Sequence, residues 1–123
     1  MLGIDVVEND RIAKSLERFG ERFLRRVYTP KEVEYCFSFK DPVPCLAARW
    51  AAKEAAVKAF FQLFGVVLKF KQIEVEGRKG LPARIRILGK EGKMLEGYKV
   101  VLSLAHERSV SVAVVQILKS GSL

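Results

Sequence analysis

Cys45-Leu46-Ala47-Ala48-Arg49-Trp50-Ala51-Ala52-Lys53-Glu54-Ala55-Ala56-Val57-Lys58-Ala59-Phe60-Phe61-Gln62-Leu63-Phe64 is the clearest helical pattern in the chain, and Gly65 follows it as a C-terminal cap. At about 100° per residue, Leu46, Trp50, Val57, Phe61 and Phe64 fall in a sector of about 60°, the predicted core stripe. Glu54 projects near roughly 80° and Lys58 near roughly 120°, on the border of that stripe. A solvated Glu–Lys pair at this spacing would be worth only about 0.2–0.5 kcal/mol. Two features favour a different role: Arg49, Lys53 and Lys58 load the segment with cations, and Glu54 sits where a carboxylate is partly buried and needs a partner. A metal-bound carboxylate beside a phosphate-binding lysine accounts for both.

Upstream, Gly3-Ile4-Asp5-Val6-Val7-Glu8 supplies a second acid. Residues 2–7 are short, β-branched and apolar on either side of Asp5, which predicts a strand carrying an acid inward at a cost that a metal or a buried cation would relieve. Asp10 to Arg26 is helical in pattern and broken near Gly20. Thr29-Pro30-Lys31-Glu32 is a capping box opening a short helix to about Phe37, and Asp41-Pro42-Val43-Pro44 is a turn. Downstream, Phe70–Glu76, Ala83–Leu88, Lys99–Ala105 and Ser109–Leu118 alternate as strands, the last two forming an antiparallel hairpin with His106 at its turn. Helices first and a strand meander after indicate an α+β domain.

The chain of 123 residues fits one domain, residues 1–118, with 119–123 as a tail. Its apolar runs are far shorter than the roughly 18 residues of a membrane span, and the start lacks the pattern of a secretory signal, so a cytoplasmic location is the default. Cys36 and Cys45 have no zinc-ligand spacing to each other or to the single histidine and are expected to be reduced structural thiols.

A net charge of +8 calls for an acidic partner. Between Arg11 and Lys31 seven cations face two acids, which places an excess of +5, more than half the net charge, in one segment. Phe19, Phe23 and Leu24 are candidate apolar anchors there. RNA would also suit such a face, so a small basic RNA-binding or ribosome-associated protein is the alternative class, although it leaves Asp5 and Glu54 unexplained. Ser103-Leu104-Ala105-His106 lies at a strand end, where polar groups commonly meet a ligand; no nucleophile elbow accompanies it, which argues against a hydrolytic triad.

Taken in order, Gly3-Ile4-Asp5-Val6-Val7-Glu8 with Arg11-Ile12, Arg22-Phe23, Thr29-Pro30, Arg49-Trp50-Ala51-Ala52-Lys53-Glu54-Ala55 with Lys58-Ala59, Gly80-Leu81-Pro82 and Ser103-Leu104-Ala105-His106 strongly resemble the holo-acyl-carrier-protein synthases, the short bacterial 4'-phosphopantetheinyl transferases. The resemblance runs to about residue 116. It implies the fold of that family and transfer of the phosphopantetheine arm of coenzyme A to a serine of apo acyl carrier protein, in support of fatty acid biosynthesis, with release of adenosine 3',5'-bisphosphate. It further implies Mg²⁺ held by Asp5 and Glu54, Lys58 on phosphate, His106, Ser103 and, more weakly, Arg49 at the nucleotide end, and Pro82 against adenine. Glu54 and a metal-held water are alternative acceptors of the serine proton. Arg11, Arg18, Arg22, Phe23 and Arg26 become the docking face for the acidic carrier protein. The family looks trimeric, with sites shared between subunits and no role for nucleic acid or membrane. Two positions depart from the family pattern: Ala105 replaces a hydroxyl residue before the histidine, and Trp50 replaces a Phe.

Overall fold

A computed structural model describes residues 1–78 and 80–122. The chain runs β1 (Leu2–Glu8), α1 (Asn9–Phe19), α2 (Glu21–Val27), α3 (Pro30–Cys36), α4 (Val43–Phe64), β2 (Ile73–Arg78), β3 (Leu81–Ile87), α5 (Lys90–Lys93), β4 (Tyr98–His106) and β5 (Val110–Lys119). Two antiparallel sheets result, a three-stranded one in the order β1-β5-β4 and the β2-β3 hairpin, so the α+β expectation holds. Gly20 separates α1 from α2 and Gly65 ends α4 in the left-handed region, as the sequence predicts. The strand expected from Phe70 begins at Ile73, because residues 70–72 form a 3₁₀ turn. β5 carries the sheet through Lys119, the first residue of the expected tail, and the Ser120 amide bonds to the Gly97 carbonyl; Leu123 lies outside the described residues. Among the described residues no helix is long and apolar enough to cross a membrane.

The core face of α4 differs from the predicted stripe. Of that stripe Leu46 is fully buried and Trp50, Val57 and Phe64 pack partly buried against the core, but Phe61 is 51% exposed, and the inner face is made by Ala47, Ala51, Ala52, Ala55 and Ala59, all fully buried. Weighting by side-chain bulk misleads here, because small residues let the sheet come close to the helix. At Gly3 a Cβ would stand 1.9 Å from the Ala55 carbonyl oxygen, so only glycine fits where β1 crosses α4.

Lys53, counted from the sequence only among the cations that load this helix, is fully buried. Its ammonium lies 2.8 Å from Glu32 Oε1 and donates to the carbonyls of Phe70 and Ile73. Glu32 accepts from the Thr29 and Val75 amides, so one carboxylate caps α3, pairs with α4 and anchors β2. Burial pulls the Lys53 pKa down, and the Glu32 carboxylate opposes it.

A second correction concerns the cysteines. Cys36 ends α3 and Cys45 lies in the first turn of α4, where the chain reversal between the helices brings their Cα atoms to 5.3 Å, within disulfide range, and they are joined. A separation of nine positions in sequence carries no information about that reversal.

Replacing Lys53 by Met leaves Glu32 buried without its cation. Urea denaturation is expected to show a loss of about 3–5 kcal/mol, and a loss below about 1 kcal/mol would mean that the pair does not hold α3, α4 and β2 together.

Candidate active site

The close pass at Gly3 brings the next inward-facing residue of β1, Asp5, against α4. Its side chain is 17% exposed, and Lys58 Nζ reaches Asp5 Oδ1 at 3.3 Å and the Ile4 carbonyl at 3.0 Å. Glu54 stands one helical turn before Lys58 and is partly buried. Burial first, and the Asp5 charge second, raise the Glu54 pKa, while Lys58 and Arg11 pull it down. Two carboxylates therefore share a partly desolvated corner with one lysine and with Arg11 at the start of α1. Paired carboxylate oxygens of this kind are the donors that a hard cation accepts.

Arg49 lies five residues before Glu54, about 140° around the helix and so on its opposite flank. It is 5% exposed, and burial lowers its pKa. Its Nη1 donates to Cys45 Sγ at 3.2 Å, its guanidinium carbon sits 4.7 Å from the centre of the Tyr35 ring, and its Nε has no hydrogen-bond partner. Among the described residues it forms no ion pair. Arg49, His106, Ala83 and Cys45 line one cavity of about 420 Å³. A nearly buried guanidinium with no carboxylate partner at the wall of a cavity is suited to receiving an anion.

Of the residues expected at a nucleotide end, Arg49 and His106 thus come together. Pro82 is exposed beside Ala83 and outside the lining, and Ser103, three positions before His106, projects from the other face of β4. Asp5, Glu54 and Lys58 do not line that cavity. Tyr35 and Gly77, which the sequence reading missed, confine Arg49: a Cβ at Gly77 would stand 2.8 Å from its Nη2. Neither carried a local signal, since both matter only through a residue distant in sequence.

The basic face lies on α1 and α2. Lys14 is tied to Asp10 and Arg25 to Glu21, whereas Arg11, Arg18, Arg22 and Arg26 form no ion pair among the described residues. Arg22 and Arg26 flank a groove floored by Phe19, Phe23 and Trp50, with the Phe23 and Trp50 rings stacked 6.1 Å apart.

Because the folded-state pKa of Glu54 is raised, its ionisation costs the fold stability as pH rises through that value. Asp5→Asn should lower the Glu54 pKa and Lys58→Met should raise it further, read by carboxyl-carbon NMR titration. Identical titration curves in the two variants would remove the electrostatic coupling.

The chain has counterparts among known proteins. The profile of the 4'-phosphopantetheinyl transferase superfamily matches residues 1–115. The holo-[acyl-carrier-protein] synthase of Aquifex aeolicus is 50% identical, over 98% of this chain and 100% of that one, and that of Leptospira biflexa is 42% identical, over 92% and 93%. Among solved structures, Helicobacter pylori holo-[acyl-carrier-protein] synthase in complex with coenzyme A superposes with a TM-score of 0.79 at 31% identity, covering 95% of this chain and 99% of that one. The coenzyme A complex of the Chronobacterium ammoniagenes enzyme gives 0.80 at 27% identity, over 97% and 96%. The chain belongs to the 4'-phosphopantetheinyl transferase superfamily.

Proposed function

We propose that the protein transfers the 4'-phosphopantetheine arm of coenzyme A to a serine hydroxyl of apo acyl carrier protein, and that Asp5, Glu54 and Lys58 form the reacting corner. The observation that carries this reading is the Lys58–Asp5 pair where β1 meets α4, with Glu54 close enough for both charges to act on it, in a chain half identical to a holo-[acyl-carrier-protein] synthase. Those relatives, and the coenzyme A in the solved complexes, favour the transferase over an RNA-binding role.

The donor set suits a hard divalent ion, Mg²⁺ by the family resemblance. Asp5 and Glu54 offer only oxygens, and no group of three or more His, Cys, Asp or Glu side chains gathers among the described residues. Such an ion takes few protein ligands and fills its shell with water and phosphate. When bound, it supplies neutralisation of charge on phosphate oxygens. Lys58 then exchanges its contact with Asp5 for one with the pyrophosphate, and the serine oxygen bonds to the phosphorus nearer the pantetheine. The bond from that phosphorus to the bridging oxygen breaks, and its electron pair leaves with adenosine 3',5'-bisphosphate. Glu54, whose pKa is raised by burial and by the Asp5 charge, is the chain's own candidate for taking the serine proton.

Arg49 and His106 bind the nucleotide end, and Arg11, Arg18, Arg22, Phe23 and Arg26 dock the acidic carrier protein, whose charge they complement. We assign the reaction to the cytoplasm, in keeping with the resemblance. We further propose a homotrimer with shared sites. Two observations support it: the acid corner and the Arg49 cavity lie on opposite flanks of α4, and the sheet face turned away from α4 exposes Leu2, Ile4, Val6 and Val101, an apolar surface suited to a second copy.

Incubation with coenzyme A, Mg²⁺ and apo carrier protein should add the mass of the phosphopantetheine arm to the carrier. Glu54→Gln should reduce kcat/KM at least about 100-fold with the fold intact, and unchanged turnover would exclude Glu54 from the chemistry. Co-expression of Asp5→Asn and Arg49→Ala chains, each inactive alone, should restore roughly a quarter of the sites if neighbours share them. No recovery in isolated mixed oligomers would place each site within one subunit.

A further inference from the structure

Arg49 is a nearly buried cation that forms no ion pair among the described residues: its contacts are a disulfide sulfur, the face of Tyr35 and the backbone at Gly77, and Glu32 acts on it only at longer range. A guanidinium with no bonded carboxylate can receive an anionic ligand, and its position depends on those contacts. One of them is a covalent crosslink. Cys36 is fully buried at the end of α3, whereas Cys45 is partly buried and lines the cavity. The segment between the two cysteines supplies Phe39, Asp41 and Pro44 to the cavity wall. Crosslinking its two ends fixes that wall and the sulfur that accepts from Arg49.

We propose that the Cys36–Cys45 disulfide is a positioning element for Arg49, and that its oxidation state sets the affinity of the protein for the nucleotide end of coenzyme A; the inference rests on the reading of the Arg49 cavity given above. Reduction by a dithiol breaks the S–S bond, converts both cysteines to thiols with two electrons and two protons from the reductant, and leaves the reductant as a disulfide. Two consequences follow, of the same sign. The 37–44 wall loses its second tether, and Cys45 gains rotation about its Cα–Cβ bond, so the sulfur no longer holds Nη1. Neither consequence reaches Asp5, Glu54 or Lys58, so binding changes while the chemical step does not.

The test compares oxidised and dithiol-reduced protein by calorimetric titration with adenosine 3',5'-bisphosphate, and by steady-state transfer from coenzyme A. Reduction should weaken binding of the bisphosphate and raise the KM for coenzyme A, each about tenfold, the worth of one charge-assisted hydrogen bond. The kcat and the KM for carrier protein should stay constant. Cys36→Ser/Cys45→Ser should match the reduced protein with or without dithiol, and Arg49→Lys should lose the redox difference. Equal affinity in the two states of the unsubstituted protein would overturn the inference, as would a redox difference that persists in Arg49→Lys. Absence of bisphosphate binding in both states would overturn the cavity assignment beneath it. If reduction lowers the melting temperature towards that of the assay, the titration repeated at 10 °C on folded protein decides the matter by the same criteria.

Discussion

The buried contact between Lys53 and Glu32 organises the surroundings of α4. An ion pair withdrawn from water is tolerated only when its remaining donors and acceptors are filled, and here they are filled from three parts of the chain: the α3 cap, the 3₁₀ turn at Phe70, and two positions on β2. With α3 and β2 fixed against α4, Tyr35 and Gly77 have fixed positions around Arg49. The cavity wall is thus a consequence of an electrostatic requirement met elsewhere in the core.

On the other side of α4 the governing constraint is steric. β1 approaches until the Gly3 backbone touches the Ala55 carbonyl, and the alanine face of α4 leaves room for it. This short distance lets Asp5, a short side chain on a strand, meet Lys58 and influence Glu54. Desolvation and like charge then act together on Glu54 and raise its pKa.

Much of this was legible in the sequence where local chemistry decides. The capping box at Thr29–Glu32, the breaks at Gly20 and Gly65, the helix carrying Glu54 and Lys58, and the strand carrying Asp5 all follow from backbone preferences and side-chain periodicity. What was not legible depends on tertiary proximity. Lys53 resembles its neighbouring cations until α3 closes over it, and Phe61 resembles a core residue until the alanines prove to be the inner face. Cys36 and Cys45 resemble isolated thiols until the turn between α3 and α4 brings them together. Ser103 and His106 share a strand, but strand alternation sends them to opposite faces, a distinction that the motif alone does not draw.

The contact at Gly3 also bears on how such an enzyme diverges. A larger residue at Gly3 would push β1 away from α4 and carry Asp5 out of reach of Lys58, so a substitution at that one position acts on strand and side chain together. The segment between Cys36 and Cys45 and the arginine face of α1 and α2 bear no comparable packing load. The places where this chain can change without moving Asp5 are thereby confined to surfaces that β1 and α4 do not share.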